Sequence, residues 1–212
     1  MNAHLRCKRC RMLGELCVCS CVRQVETQTR LVLLVHRIED RKPTNTGRLA
    51  TLCLPNSAIV VRGHEGEPTA PMTFGPETQP LFLFPHEGAT PLAELPRPDK
   101  PVTLLVPDGN WRQASKVKKR VPGLADVPCV FLPAGEPSTY RLRAEAHPHG
   151  MATLEAIARA FRILEGPHVE EALLHVFRAM VERTLWARGT IKASEVEVGI
   201  PEGAMRQIAP RD

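Results

Sequence analysis

Four thiols crowd the start of the chain: Cys7 and Cys10 with two residues between them, then Cys17 and Cys19 with one between them. Four thiolates carried on two tight loops can surround a single tetrahedral Zn2+. The residues between the pairs suit such a site. Lys8, Arg9 and Arg11 offset thiolate charge, and Gly14 supplies a turn. The spacing predicts a structural zinc knuckle with Cys7, Cys10, Cys17 and Cys19 as ligands. The plainer alternative is a set of disulfides, which requires an oxidising compartment. Met1 to Leu16 contains no apolar stretch of the secretory kind, so the expected location is cytoplasmic. Cys21 is a spare ligand or a free thiol. Cys53 and Cys129 lie in apolar surroundings and read as small core residues.

A second group of reactive residues lies further along. Three short segments each follow an apolar run that ends in Pro: His86-Glu87-Gly88, Asp108-Gly109-Asn110-Trp111, and Ala134 to Tyr140. In a parallel sheet, loops at the C-terminal ends of strands are where ligands bind. A carboxylate, an amide and an indole stand together at Asp108, Asn110 and Trp111, and the cations Arg112, Lys116, Lys118, Lys119 and Arg120 follow. That combination suits a small-ligand pocket with a cationic rim. Taken singly, Asp108-Gly109 is ordinary turn chemistry, and Trp111 is an ordinary core side chain. Neither a G-x-G-x-x-G fingerprint nor a G-x-x-x-x-G-K-[ST] phosphate loop is present.

The elements that must position these residues alternate in type. Thr29–Val35, Ala58–Arg62, Leu81–Pro85, Val102–Pro107 and Pro128–Pro133 read as short buried strands. Helices are predicted at Arg48–Leu54, Trp111–Arg120, Thr153–Leu164 and about Val169–Arg188, with Gly166 and Gly189 as stops. Residues 63–80 are a Gly- and Pro-rich loop, and the tail after Ile191 has little pattern. Fully apolar strands alternating with helices predict an α/β fold: a mostly parallel sheet with helices on both faces. The domain reading is a knuckle over residues 1–28, a main domain over 29–190 and a tail over 191–212.

The chain has 212 residues and 43% apolar content, and it lacks the run of roughly twenty apolar residues that a membrane span needs. Its net charge of +5 is uneven. Lys and Arg exceed acids in the knuckle, in residues 31–62 and in residues 100–145, while residues 63–99 are acidic. A polyanion partner, most simply RNA or DNA, is one reading of this pattern. An ordinary solvated surface is the plainer reading.

The ordered set of motifs resembles the DTW-domain proteins over roughly residues 5–190. It comprises the four cysteines, His36 with Glu39, Thr44-Asn45-Thr46-Gly47-Arg48, Asp108-Gly109-Asn110-Trp111-Arg112-Gln113-Ala114, Tyr140-Arg141-Leu142-Arg143 and Thr153-Leu154-Glu155-Ala156-Ile157-Ala158. The resemblance implies a SPOUT-like, knotted fold and an aminocarboxypropyltransferase. Such an enzyme moves the 3-amino-3-carboxypropyl group of S-adenosylmethionine onto N3 of a tRNA uridine and releases methylthioadenosine. It implies catalytic roles for Asp108, Asn110 and Trp111. The implied donor contacts are Pro85, His86, Asp108, Trp111, Tyr140, Arg141, Arg143, Thr153 and Glu155. The implied RNA contacts are Arg37, Asn45, Arg48, Arg112, Lys116, Lys118 and Lys119. Two departures stand out. Asn110 occupies the position where the family has Thr, and Ala152 stands where a hydroxyl is frequent.

The implied chemistry suits these residue types. The sulfonium already activates the carbon that is transferred, so the protein must align that carbon with N3 and remove the N3 proton. Asp108 is the candidate general base, with orientation of the donor as its alternative role. Arg141 and Arg143 suit either the donor carboxylate or an RNA phosphate. Glu155, in the first turn of a helix, also has a simple role there as a favourable charge. Two other readings stay open: an RNA methyltransferase of the same fold class, which would release S-adenosylhomocysteine, and a non-catalytic zinc-containing RNA-binding protein. The tRNA, the uridine position and the oligomeric state are open, with a monomer favoured.

Overall fold

The computed structural model describes residues 6–96, 98–142 and 150–207. Period-two alternation builds the centre of the fold, because successive strand residues face opposite sides of a sheet. In β1 (Arg30–His36), Leu31, Leu33 and Val35 join one buried cluster, while Val32 and Leu34 join another. β5 (Val102–Asp108) and β3 (Gln79–Leu83) divide in the same way. Leu104, Val106, Leu81 and Leu83 point to the first side, and Leu105 and Phe82 to the second. Strands covered on both faces must be apolar throughout, which explains their continuous Val/Leu/Phe runs.

With β2 (Ser57–Arg62), β4 (Thr90–Pro91) and β6 (Cys129–Phe131), these strands form one six-stranded sheet in the order β2-β1-β5-β3-β6-β4, and every pairing is parallel. The larger face is covered by α2 (Gly47–Cys53), α5 (Thr153–Leu164) and α6 (Pro167–Ala187), which bring in Leu49, Ile157, Phe161, Val176 and Phe177. The other face is covered by Val117, Val121, Leu124 and Val127. The α/β class, the parallel sheet and helices on both faces therefore stand as expected. The single helix predicted over Trp111–Arg120 does not. It is two short helices, α3 (Trp111–Ala114) and α4 (Val117–Arg120). The break lets Val117 bury fully while Trp111 stays half-exposed. A short α1 (Arg37–Asp40) directly follows β1.

The same core reaches into both ends of the chain. Met12, Leu16 and Val18 from the cysteine-rich segment, and Val196 and Ala204 from the tail, belong to the cluster that contains α5 and α6. The tail also carries α7 (Glu202–Gln207). Arg183, buried on α6, stitches these parts together. Its guanidinium donates to the carbonyl of Cys17, to the carbonyl of Gly199 at 2.8 Å and to Sγ of Cys21 at 3.3 Å. No helix among the described residues is long and apolar enough to cross a membrane.

Candidate active site and metal centre

Three strand ends converge. The segments that follow β3, β5 and β6 open a cavity of about 950 Å3, walled by Phe84, Pro85, Trp111, Phe131, Met151 and Tyr140 among others. That volume suits a drug-sized ligand. Its polar floor is Asp108, the last residue of β5 and buried.

The carboxylate of Asp108 is held from both sides. Oδ2 accepts from Asn45 Nδ2 at 2.5 Å, and Oδ1 accepts from Thr153 Oγ1 at 2.6 Å. The Asn45 amide works in two directions, because its Oδ1 accepts the Arg48 backbone N–H at 3.0 Å and so caps the start of α2. The run 44–48 fastens two more segments. The Thr44 carbonyl accepts from the Tyr140 hydroxyl at 3.2 Å, and Thr46 Oγ1 accepts the Leu154 N–H at 3.4 Å. This last contact accounts for Ala152. Ala152 is the N-cap of α5 and has no hydroxyl to offer the second residue of that helix, so Thr46 supplies one from a distant segment. Gly47 is required by close approach: a Cβ there would stand 3.0 Å from Asp108 Oδ2 and from the Leu33 side chain.

The Asn110 substitution also has a structural account. Asn110 is the N-cap of α3, its Oδ1 accepting the Gln113 N–H at 2.9 Å while Gln113 Oε1 accepts the Asn110 N–H at 2.8 Å. Asn and Thr are both strong N-cap residues, so this position tolerates either. Asn110 lines the cavity, and its side-chain oxygen is engaged in capping the helix. Gln113 Nε2 lies 3.2 Å from Nδ1 of His36, and the Gln113 carbonyl accepts from buried Arg62 at 3.0 Å, tying the signature loop to the ends of β1 and β2. The His36 pKa is lowered by burial first and then by the neighbouring Arg62 and Arg37, so the neutral imidazole is favoured.

Among the other expected donor contacts, Pro85, Trp111, Tyr140 and Thr153 line the cavity. The Trp111 and Phe84 rings lie 5.0 Å apart and tilted by 42° at its mouth. His86 and Arg141 are exposed and do not line the cavity. Glu155 does not line it either, because its buried carboxylate is turned to the backbone. It accepts from the N–H groups of Thr139 at 2.8 Å and Ala152 at 2.9 Å, and from Ser138 Oγ at 2.5 Å. Glu155 is thus the clasp that fastens loop 134–140 to α5. Arg143 lies outside the described residues.

The expected RNA contacts separate just as clearly. Arg112, Lys116 and Lys119, which follow Trp111 in the chain, are exposed. Lys118 is turned inward, with Nζ 3.4 Å from Cys129 Sγ; Cys129 is accordingly only half-buried. Asn45 is buried on Asp108. Arg48 is half-buried and ion-paired with Asp40, and Arg37 is half-buried. Sequence reasoning passed over Arg159 and Lys42, both of which line the cavity. The signal for Arg159 was its helical spacing from Thr153 through Ala156.

At the other end of the chain, the sulfurs of Cys7, Cys10, Cys17 and Cys19 lie within 4.8 Å of one another, with Cys7–Cys19 at 3.5 Å and Cys10–Cys17 at 3.7 Å. Four thiolates about 2.3 Å from a central ion would be about 3.8 Å apart, so these residues could hold a metal ion. Their separations are too long for disulfides. The backbone N–H of Cys10 is the main cause lowering the Cys7 thiol to about 6, while burial raises Cys10 and Cys19. Four thiolates this close need a cation between them. Cys21 lies outside the four, facing Arg183. Cys53 is fully buried, its thiol pushed up to about 11 by burial, as a core residue should be.

The sequence comparisons agree with this geometry. A model of the DTW domain matches residues 4–185. Among similar proteins is tRNA-uridine aminocarboxypropyltransferase 2 of Drosophila melanogaster, 25% identical over 193 residues that cover 87% of this chain and 76% of the fly protein. Proteins of the same name from Macaca fascicularis and Mus musculus are 27% and 28% identical, covering 89% of this chain and 66% of their own length. No solved structure matches. With the motif residues Asn45, Asp108, Tyr140 and Thr153 gathered at one cavity and the family match spanning most of its length, the chain belongs to the DTW domain family.

Proposed function

We propose that this chain transfers the 3-amino-3-carboxypropyl group of S-adenosylmethionine to N3 of a uridine in tRNA, releasing methylthioadenosine. The observation that carries this reading is the placement of the family's signature, Asp108 to Trp111, on the floor and mouth of a cavity large enough for the donor. Relatives named for the reaction support it.

In this reading N3 attacks the carbon bonded to sulfur. The new N–C bond forms as the C–S bond breaks, and the electron pair returns to sulfur in methylthioadenosine. The N3 proton passes to a base. Asp108 is positioned for that role or for holding the cationic donor. The hydrogen bonds from Asn45 and Thr153 fix its direction, as alignment of reacting atoms requires. Trp111, half-exposed at the mouth, offers a face for stacking a base, and the exposed Arg112, Lys116 and Lys119 that follow it in the chain suit RNA phosphates.

We assign Zn2+ to the four-cysteine cluster, in a structural role that braces the N-terminal segment. Its sulfurs must stay reduced, which fits the cytoplasm. The SPOUT-like, knotted class is part of the same proposal. It is supported by β5, which is inserted between the two earlier strands β1 and β3.

Incubation of the protein with tRNA and S-adenosylmethionine, followed by mass spectrometry of the nucleosides, tests the reading. Aminocarboxypropyluridine together with methylthioadenosine is expected. Methylated nucleosides together with S-adenosylhomocysteine would replace this reading with the methyltransferase one. An unmodified tRNA with a bound but unconsumed donor would sink both.

A further inference from the structure

The charged side chains that line the cavity among the described residues are Glu39, Lys42, Asp108, Glu136 and Arg159. Only two are cations. Lys42 is already paired, its Nζ 2.5 Å from Glu39 Oε1. Arg159 has no carboxylate partner among the described residues. Its guanidinium donates to the backbone carbonyl of Glu136 and lies against loop 134–138 so closely that a Cβ at Gly135 would be 2.9 Å from its Nη1. A guanidinium has five donors in a planar fork, so one carbonyl leaves most of them available.

We infer that Arg159 is the anchor for the donor's terminal carboxylate, a task for which Arg141 and Arg143 were candidates in the sequence, with an RNA phosphate as their alternative. The inference rests on the donor reading above. α5 carries Thr153, Ala156 and Arg159 along the wall of the cavity. Thr153 touches Asp108. Six residues of helix place Arg159 about 9 Å further along the axis. The cavity is therefore polarised, with the Asp108 carboxylate at one end and a guanidinium with donors to spare at the other. The donor is polarised in the matching sense, with a sulfonium at its centre and a carboxylate at the tip of the group it gives away. A carboxylate on Arg159 directs the intervening carbon chain, and with it the reacting carbon, toward Asp108. A planar guanidinium binds a carboxylate through two parallel hydrogen bonds. The same contact favours donors that keep the carboxylate, so Arg159 sets specificity for the group transferred.

Calorimetry with three nucleosides tests this. The wild-type protein should bind S-adenosylmethionine at least about tenfold more tightly than its decarboxylated analogue, since a hydrogen bond to a charged group is worth that much. Arg159→Gln should remove that preference by weakening S-adenosylmethionine alone, while leaving the decarboxylated analogue, methylthioadenosine and tRNA within about twofold. Arg159→Lys should fall between. Equal wild-type affinity for the two donors overturns the assignment without any variant. Loss of tRNA affinity in Arg159→Gln with unchanged donor affinity overturns it in favour of a phosphate contact. A wild-type protein that binds methylthioadenosine but not S-adenosylmethionine, or neither nucleoside, would instead overturn the donor reading on which the inference stands.

Discussion

The four sulfurs of the N-terminal cluster come from residues 7 to 19, whereas the Asp108 carboxylate is held by Asn45, 63 positions earlier, and Thr153, 45 positions later. The cluster can close as soon as its own short segment turns. The cavity can close only when the ends of β3, β5 and β6, residues 39–46 and α5 are all in place, because each contributes lining residues. The two regions also use charge differently. The cluster gathers four sulfurs closely enough to hold a metal ion. The cavity sets its carboxylates against partners of the opposite kind, Glu39 beside Lys42 and Asp108 beside the donors of Asn45 and Thr153. A local site tolerates changes elsewhere, and a long-range site is sensitive to every segment that builds it. Arg183 and Arg11 qualify the independence of the cluster. Arg183 reaches the Cys17 carbonyl from α6, and Arg11 reaches Asp40, which also pairs with Arg48.

The largest effect should come from breaking the cluster. Replacing Cys17 and Cys19 together by Ser should abolish binding of about one Zn2+ per chain and lower stability by at least about 5 kcal/mol, because metal binding free energy is folding free energy. Because the segment shares the main core, a thermal melt should show one transition shifted down, not a separate early one. Full metal occupancy in that variant would remove the knuckle.

Next is Asp108→Asn, expected to slow transfer by about a thousandfold, roughly 4 kcal/mol of transition-state stabilisation. If Asp108 is the base, donor affinity stays near wild type and higher pH partly restores turnover, because more uridine loses its N3 proton in solution. If it orients the donor, calorimetry will show weakened S-adenosylmethionine binding. Normal turnover eliminates both roles.

Glu155→Gln probes whether the cavity wall is as interdependent as its geometry implies. An amide in place of the carboxylate sets one N–H against the N–H groups of Thr139 or Ala152. The expected loss is about 2 kcal/mol, or roughly 6 °C in Tm for a domain of this size. Donor affinity should fall with it, since loop 134–140 is released. A loss of stability with unchanged donor affinity would show that the loop is not a wall the donor needs.

Replacing Arg112, Lys116 and Lys119 together by Ala should weaken tRNA binding about tenfold and flatten its salt dependence, with donor affinity unchanged. Lys118→Ala should do neither, because Lys118 is turned toward Cys129. Unaltered tRNA affinity in the triple variant would place the RNA on another face.

The smallest effect belongs to Asn110→Thr, expected to change stability by less than about 0.5 kcal/mol and turnover by less than about twofold, since one N-cap replaces another. A large change in rate would return Asn110 to the chemistry.

Sequence alone determined whatever depends on neighbours along the chain. The cysteine spacing, the short fully apolar strands and the two long C-terminal helices are all local patterns, and each is present in the structure. The two-part form of α3 and α4 was not legible, because both stretches look helical and only burial of Val117 against the second sheet face sets the break. Tertiary structure alone decided which polar residues share a site. Asn45, Lys118 and Glu155 are all polar residues that a sequence places on a surface or in a pocket. The fold buried Asn45 on Asp108, turned Lys118 toward Cys129 and committed Glu155 to a loop backbone. Arg159 was hidden for the converse reason: an Arg on an amphipathic helix reads as solvated until the loop from a distant strand end is laid across it. A hydrogen bond between residues far apart in sequence leaves no periodic trace, so no pattern along the chain records it.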